Sequence, residues 1–316
     1  MKKFHIFCYI ILLFSVSCTI PKTDFKERLD INKRGALEQG GAVKKDNINI
    51  IFEAPDGEFL RGYNEFAIKF EVPNNEKIED VTFFPTYKDE NGKIFSSPHS
   101  YQLVQTEKTN YFKGFVVFNL PKQYSVLNNT HSGIRTFWNG HISYKVNGEK
   151  KEFDTVLEVL DTRNANLNMT EFVGKDGITY YIALIAPEIP DVAINDLVAG
   201  IWKWNPTDNS VPETINNQPN PAKFSYSVVN NYLLELDPRM PGEDMGNHSS
   251  PHNEDLTQKE DGFYYGKVNY TMYGYWTLNF ILKNESQQVI KGTTVSKKMT
   301  IGQFGEQSEL HIDILF

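Results

Sequence analysis

The sequence predicts an all-β protein, and three observations carry this prediction. Beyond position 47 the apolar residues fall in short alternating or β-branched runs separated by turn residues, without a helical pattern of useful length. The chain has 316 residues, of which 40% are hydrophobic and 13% aromatic, so it can bury the cores of two ordinary domains. Two segments of the chain carry similar motifs in the same order, as expected for a repeated domain. Together these features favour two tandem immunoglobulin-like β-sandwiches.

Charge and cysteine content exclude several classes of protein. The chain has 40 acidic and 32 basic residues, a net charge of −8, without a basic block, so we expect no nucleic-acid partner. The two cysteines are Cys8 and Cys18, and Cys8 lies in a segment that we expect to be removed. An internal disulfide and a thiolate zinc cluster are therefore excluded.

The N-terminus has the order of an export signal. Two lysines precede an apolar run over residues 4–14, which is too short to span a bilayer. Small residues then precede Cys18, as in a bacterial lipobox, although Ser15 stands where leucine is more usual. We expect residues 1–17 to be a signal peptide and Cys18 to carry lipid, which anchors the protein in a bacterial envelope at the outer membrane or periplasmic face. An ordinary signal followed by a free cysteine is the alternative.

Residues 18–47 are polar, charged and contain glycines, so we expect the lipidated cysteine and a flexible linker there. The first sandwich is expected over residues 48–163, with hairpin turns at Asn91-Gly92 and Asn147-Gly148. Its candidate strands are Ile48–Phe52, Glu65–Val72, Ile78–Phe84, Tyr111–Leu120, Ile134–Val146 and Glu152–Leu160.

The second sandwich is expected over residues 172–316, after a joint at Asp161–Glu171 that is rich in Asn and Thr. Around Trp276 every second residue is apolar, as a half-buried strand requires. The candidate strands are Ile178–Ala186, Ala193–Trp204, Lys223–Leu236, Gly266–Met272, Trp276–Leu282, Gln288–Thr300 and Glu309–Phe316.

The two halves align through shared motifs. Pro85 and Pro238 are each followed 14 residues later by the histidine of a Ser-Pro-His motif, His99 and His252 respectively. An aromatic segment with a glycine follows in both halves, and then an aromatic-Trp pair. This order predicts two copies of one β-domain.

Residues 237–255 carry a pattern that indicates chemistry. Two of the six methionines and two of the seven histidines lie here, spaced Met240-x4-Met245-x2-His248-x3-His252. Prolines and glycines between them predict a turning loop rather than a strand or helix. Thioether and imidazole together suit Cu(I), and with a second imidazole Cu(II), whereas thioether is a poor ligand for zinc, calcium or magnesium.

Two other interpretations of this segment stay open. A loop methionine often packs over a core, and a loop histidine is often only solvated. The neighbouring acidic residues would offer oxygen ligands to Ca²⁺, although they do not follow the EF-hand pattern. These acidic residues are Asp237, Glu243, Asp244, Glu254 and Asp255.

Three motifs resemble a known family. They are Asp-Pro-Arg-Met-Pro…Met-Gly-Asn-His-Ser-Ser-Pro at residues 237–251, Asp-Gly-Phe-Tyr-Tyr-Gly at 261–266 and Tyr-Thr-Met-Tyr-Gly-Tyr-Trp at 270–276. In this order they resemble the YtkA-like/FixH-like domain of bacterial envelope proteins. The resemblance implies an immunoglobulin-like sandwich and copper handling, including copper supply to terminal oxidases. It also implies Met240, Met245 and His248 as ligands, whereas His252 is added by its spacing alone.

The first copy departs from this pattern. In the Pro85/Pro238 register, Tyr87 stands at the place of Met240, Gly92 at that of Met245 and Phe95 at that of His248. His99 alone is retained, opposite His252. We therefore expect the first domain to be a degenerate copy that does not bind metal in this way.

The sequence thus favours an envelope lipoprotein that binds copper, as Cu(I), and delivers it to an acceptor protein as a metallochaperone. Neither an organic cofactor nor an enzymatic activity is expected, since no Ser-His-Asp set, phosphate-binding glycine loop or His-Glu-x-x-His helix occurs. The alternative is a non-metal surface lipoprotein whose two sandwiches bind a protein or glycan. It predicts exposed aromatic residues and a Met/His segment packed against the core.

Overall fold

The computed structural model describes residues 36–73, 76–119, 135–160, 166–208, 210–216, 218–298 and 301–315. The predicted signal peptide, Cys18 and most of the predicted linker lie outside these residues. The described residues form strands, turns and a 3-10 helix over Pro221–Lys223, and they contain no α-helix. The chain is all-β, as predicted, and folds as two immunoglobulin-like sandwiches. No helix in the described part is long and apolar enough to cross a membrane.

The first sandwich consists of two packed sheets. Its strands are β1 (Leu37–Lys45), β2 (Ile48–Pro55), β3 (Phe59–Leu60), β4 (Gly62–Glu71), β5 (Ile78–Lys88), β6 (Ile94–Phe95), β7 (Val104–Gln105), β8 (Tyr111–Phe118), β9 (Arg135–Val146) and β10 (Glu149–Leu160). One sheet has the order β1-β2-β4-β8-β7 and the other β3-β10-β9-β5-β6. Side chains from both sheets, among them Phe66, Phe83 and Tyr144, form one hydrophobic cluster between them.

The linker prediction was wrong for residues 37–45, because they form β1 and pair antiparallel with β2. The glycines that suggested a flexible segment have a packing reason. A Cβ on Gly40 would lie 2.4 Å from the Gly57 carbonyl oxygen, so the strand approaches the β2–β3 turn more closely than any larger residue permits. Val43 packs against the core of this sandwich.

The second sandwich contains the remaining strands. They are β11 (Met169–Val173), β12 (Thr179–Ala186), β13 (Ile194–Asn205), β14 (Thr214–Ile215), β15 (Gln218–Pro219), β16 (Ser225–Val228), β17 (Leu233–Met240), β18 (His248–Ser249), β19 (Glu254–Gln258), β20 (Tyr264–Asn269), β21 (Tyr275–Lys283), β22 (Val289–Lys291) and β23 (His311–Leu315). Their main path is β11-β12-β13-β20-β19-β17-β21-β22, with β16, β18 and β23 paired beside it. Trp276, Tyr264 and Phe280 are fully buried in its core.

The two sandwiches share strand order and register. The path β11-β12-β13-β20-β19 repeats β1-β2-β4-β8-β7, and β23-β21-β17-β18 repeats β10-β9-β5-β6. Pro85 pairs with Gly140 and Pro238 with Leu278, each two residues after the tryptophan of the aromatic-Trp motif. The strand register therefore reproduces the alignment that the motifs gave.

Several predicted elements end or begin elsewhere. The expected strand Lys223–Leu236 is interrupted between β16 and β17, where Asn231 has a positive φ of 58°. The expected strand Gln288–Thr300 ends at Lys291, because Gly292 turns the chain with φ 107°. Strand β11 begins inside the expected joint. The Asn147-Gly148 turn is confirmed, with φ of 51° and 82° linking β9 to β10.

A third cluster of apolar residues joins the two sandwiches. The Tyr63 ring of the first stacks on Trp202 of the second at 6.2 Å, and Phe115 lies 5.4 Å from the same indole. Arg61, itself 9% exposed, donates to Asn168 Oδ1 and, at 3.1 Å, to the Met169 carbonyl. This seam buries aromatic and charged groups together, so the two sandwiches are docked against each other.

Candidate metal-binding site

Met240 and His248 lie opposite each other at one end of the second sandwich. Met240 is the last residue of β17 and His248 the first of β18, and the two are register partners. Residues directly opposite in an antiparallel pair project to the same face, with Cβ atoms about 5 Å apart. The prediction of a loop was wrong for these two residues. Met240 ends the eight-residue strand β17, whose last residues Asp-Pro-Arg-Met lack an alternating pattern, and the two-residue β18 is too short to have its own.

Met245 lies in the turn that joins these strands. Its amide donates to the Gly242 carbonyl at 2.9 Å, and its own carbonyl accepts from the His248 amide at 3.1 Å. Asn247, which is 4% exposed, has a φ of 64° and donates through Nδ2 to the Ser296 carbonyl at 3.0 Å. Local hydrogen bonds and a neighbouring segment thus hold the turn, which returns the chain from Met240 to His248.

The three side chains differ in burial. Met240 is 3% exposed and belongs to the hydrophobic core, while Met245 is half-buried and packs against the same core. His248 is half-buried, with Nε2 3.3 Å from Thr271 Oγ1. Its Nδ1 has no protein partner within the described part of the chain. The end of the sandwich therefore has two thioethers and one imidazole, of which Met245 and His248 are reachable from solvent.

The structure also explains the glycine of the Met-x-Gly-x-Trp motif. Gly274 has a φ of 135°, and a Cβ there would lie 3.1 Å from Met240 Cε. A residue with a side chain would press on the Met240 methyl group. The motif is visible in the sequence, but the reason for its glycine is not. The contact of Thr271 with His248 is also hidden in the sequence, since only the folded chain brings the two residues together.

His252 lies apart from these residues. It is exposed, with a φ of 63°, on the turn between β18 and β19. Two residues earlier, Ser250 is only 9% exposed, and its hydroxyl donates a hydrogen bond to the Asn269 carbonyl. The chain is therefore held against the sandwich just before His252. No hydrogen bond or ring contact within the described residues links His252 to Met240, Met245 or His248. Its inclusion as a ligand stays a prediction from spacing.

Two of the five acidic residues nearby already accept hydrogen bonds. Asp237 accepts two hydrogen bonds from Arg239, at 2.7 and 2.9 Å, and Asp255 accepts from the Leu236 amide at 2.9 Å. Within the described residues no group of three or more His, Cys, Asp or Glu side chains could hold a metal ion. The calcium alternative therefore gains no support, and the donors at this end of the sandwich are thioether and imidazole.

The first sandwich has aromatic residues at the corresponding place. Tyr87 pairs with Phe95 in the same register as Met240 with His248, and the two rings are 6.4 Å apart. Tyr87 also packs 5.8 Å from Trp138. This end of the first sandwich offers packing and no soft metal ligand.

His99, the counterpart of His252, is enclosed at the seam. Its ring lies 5.7 Å from Phe84 and 6.1 Å from Tyr226 of the second sandwich. Its Nδ1 is 2.6 Å from the Ser97 carbonyl. Burial lowers the pKa of His99 from 6.5 to about 4, so the ring is neutral at neutral pH.

Comparisons with known proteins give distant structural similarity alone. No family model matches the chain, and no curated protein matches it. The Escherichia coli adhesin FdeC matches with a TM-score of 0.22 and 8% identity, over 79% of this chain and 64% of that one. A DUF4785 family protein from Legionella pneumophila matches with a TM-score of 0.23 and 10% identity, over 77% and 53%.

The chain therefore spans less than two thirds of either solved structure. Both TM-scores are low, so the fold assignment rests on the sheets of this chain. The resemblance to the YtkA-like/FixH-like domain stays a prediction from its motifs.

Proposed function

We propose that this protein is an envelope lipoprotein that binds Cu(I) through Met240, Met245 and His248 and passes it to an acceptor protein. The observation that supports this best is the direct pairing of Met240 with His248, with Met245 in the turn between them. Soft thioethers combined with imidazole are the donor set that Cu(I) prefers.

The chemistry of this set suits a carrier. All three ligands are neutral, so the bound ion keeps its positive charge and is held without thiolate. Thr271 would fix the orientation of the His248 ring by its contact at Nε2, as groups behind metal-binding imidazoles commonly do, and would leave Nδ1 to the metal. Met245 and His248 are reachable from solvent, so an acceptor's ligands could replace them one at a time.

A competition titration tests this proposal. The chain lacking residues 1–18 is titrated with Cu(I) against a chromophoric chelator, beside a Met240→Leu/His248→Ala variant. A Met272→Leu variant is the matched control, because Met272 is 36% exposed and lies outside the pair. We expect near one-to-one binding that the double variant loses and the control keeps. Failure to compete with the chelator would refute the copper site.

The alternative is a non-metal binding module made of two docked sandwiches. The 3% exposure of Met240 favours it, because a methionine that fills the core needs no metal to explain it. The same titration separates the two functions, since the alternative predicts no Cu(I) binding in either protein.

Membrane attachment through Cys18 belongs to the same proposal. Metabolic labelling with an alkyne-bearing fatty acid should mark the wild-type chain and leave a Cys18→Ser variant unmarked. Equal labelling of both proteins would contradict lipidation at this residue.

A further inference from the structure

The second sandwich contains a segment that the first lacks. In the first, β4 ends at Glu71 and β5 begins at Ile78, whereas in the second β13 and β17 are separated by β14, β15, the 3-10 helix and β16. Strands β14 and β15 form a small sheet of their own. Strand β16 pairs with β13, but the first sandwich closes without such a segment, so the fold does not need the insertion.

The insertion docks on the outer face of the first sandwich. Phe83 belongs to the core of that sandwich, so Phe84, the next residue of β5, faces outward. Phe84 is nevertheless only 1% exposed, because Phe224 from the insertion packs 6.0 Å from it and His99 lies on its other side. This aromatic contact fixes the insertion over strands of the other sandwich.

A cleft of about 530 Å³ opens between the insertion and strands β5, β9 and β10. Its charged side chains cancel in pairs. Lys145 binds Asp80 at 2.7 Å, and Lys150 binds Glu152 at 3.0 Å. A ligand in this cleft is therefore not selected by net charge.

Polar groups line the floor and the insertion side of the cleft. Thr82 and Ser143 are register partners on β5 and β9, and their hydroxyl groups have no protein partner in the described part of the chain. Asn139 and His141 precede Ser143 on β9. His141 Nδ1 lies 2.9 Å from Asp154 Oδ1, and Gln218 lines the cleft from the insertion. The Tyr101 ring, 48% exposed, also lines the cleft. The cleft thus has hydroxyl and amide groups that both donate and accept hydrogen bonds, together with one open aromatic face.

We propose that this cleft binds a neutral glycan. Sugar hydroxyls match the paired hydroxyl and amide groups, the apolar face of a pyranose matches the Tyr101 ring, and the cancelled charges fit an uncharged ligand. This site is distinct from the copper site and gives the binding-module alternative a ligand class.

The test begins with the full chain on a printed array of neutral and acidic oligosaccharides. The best neutral ligand is then measured by isothermal titration calorimetry. Tyr101→Ala and Gln218→Ala should each weaken its binding about tenfold or more, because each removes one of the proposed contacts. Phe137→Ala is the matched control, because Phe137 is a 60% exposed aromatic residue of β9 that lies outside the cleft. This variant should bind the ligand as the wild type does.

Three results would overturn the glycan proposal. The first is that the array retains the protein on no neutral oligosaccharide, the second is that the protein prefers acidic oligosaccharides, and the third is that neither cleft variant weakens the binding of the best neutral ligand. A parallel peptide array gives the rival outcome, in which peptides alone bind and lose affinity in Tyr101→Ala. Two further titrations distinguish the cleft from the copper site. Tyr101→Ala should bind Cu(I) as the wild type does, and Met240→Leu should bind the glycan as the wild type does.

Discussion

The two sandwiches share their strand order and register, but they carry different kinds of side chain at the same end. Tyr87 and Phe95 form an aromatic pair on β5 and β6, whereas Met240 and His248 form a thioether–imidazole pair on β17 and β18. Because aromatic packing against Trp138 is enough to close the first copy, the fold does not demand an imidazole there. The proposed copper site depends on this difference, since only the second copy has thioether and imidazole side chains at this end.

The same comparison applies to the two Ser-Pro-His motifs, with the roles reversed. His99 of the first copy is enclosed by rings from both sandwiches, whereas His252 of the second is exposed. One motif therefore serves the seam and the other faces solvent. Duplicated positions keep their place in the register and differ in what surrounds them.

The largest effects should come from the two tryptophans that the repeat shares. Trp138 and Trp276 are 3% and 0% exposed, so replacing either with alanine leaves a large cavity and should cost about 3–5 kcal/mol of unfolding free energy. Urea unfolding followed by tyrosine and tryptophan fluorescence measures this cost. A large loss for Trp276→Ala beside a negligible one for Trp138→Ala would break the structural equivalence of the two copies.

Acid should destabilise the protein through His99. The folded state lowers the pKa of His99 to about 4 from 6.5, so the unfolded chain binds this proton first as the pH falls. The contribution is fully present above pH 6.5 and is lost towards pH 4, by up to about 3 kcal/mol.

Thermal unfolding between pH 7 and pH 4 checks this prediction. His99→Phe should remove this part of the pH dependence. An identical pH dependence in the wild type and His99→Phe would show that the seam histidine is not the source.

Replacing one glycine near this end of each sandwich should lower the free energy of unfolding by less than the tryptophan variants do. Gly274→Ala forces a residue into φ 135° and presses on the Met240 methyl group, so we expect a loss of about 2 kcal/mol and weaker Cu(I) binding. Gly92→Ala adopts φ 81° with only the flexible end of Lys88 nearby, at 3.4 Å, and should cost about 1 kcal/mol. Chemical denaturation and the chelator titration measure both. Equal Cu(I) affinity in Gly274→Ala and the wild type would separate this glycine from the site.

The smallest effect on stability should come from replacing the Met240–His248 pair with residues that cannot bind a metal. Met240→Leu conserves apolar volume, and His248→Phe exchanges one half-buried ring for another, so each should change the unfolding free energy by less than about 1 kcal/mol. A loss of several kcal/mol would mean that the pair is structural. Thermal unfolding of the metal-free variants decides between these results.

The sequence predicted the fold class, most strands and the correspondence of Tyr87 with Met240, because alternation and motif spacing are local properties. It did not predict β1, since Gly40 and the charged residues around it hide the strand behind a linker-like composition. It also missed the partnership of His248 with Thr271 and the cleft beneath the insertion. Both depend on contacts between segments far apart in the chain, which no local pattern reports.

X-ray absorption spectroscopy at the copper edge of the Cu(I)-loaded protein identifies the atoms that bind the metal. We expect a Cu(I) edge with two sulfur scatterers and one nitrogen scatterer, of which one sulfur is lost in Met240→Leu and the nitrogen in His248→Phe. A first shell of nitrogen and oxygen alone, or a spectrum that both variants leave unchanged, would contradict it. In that case Met240 and His248 serve the core of the second sandwich as Tyr87 and Phe95 serve the first.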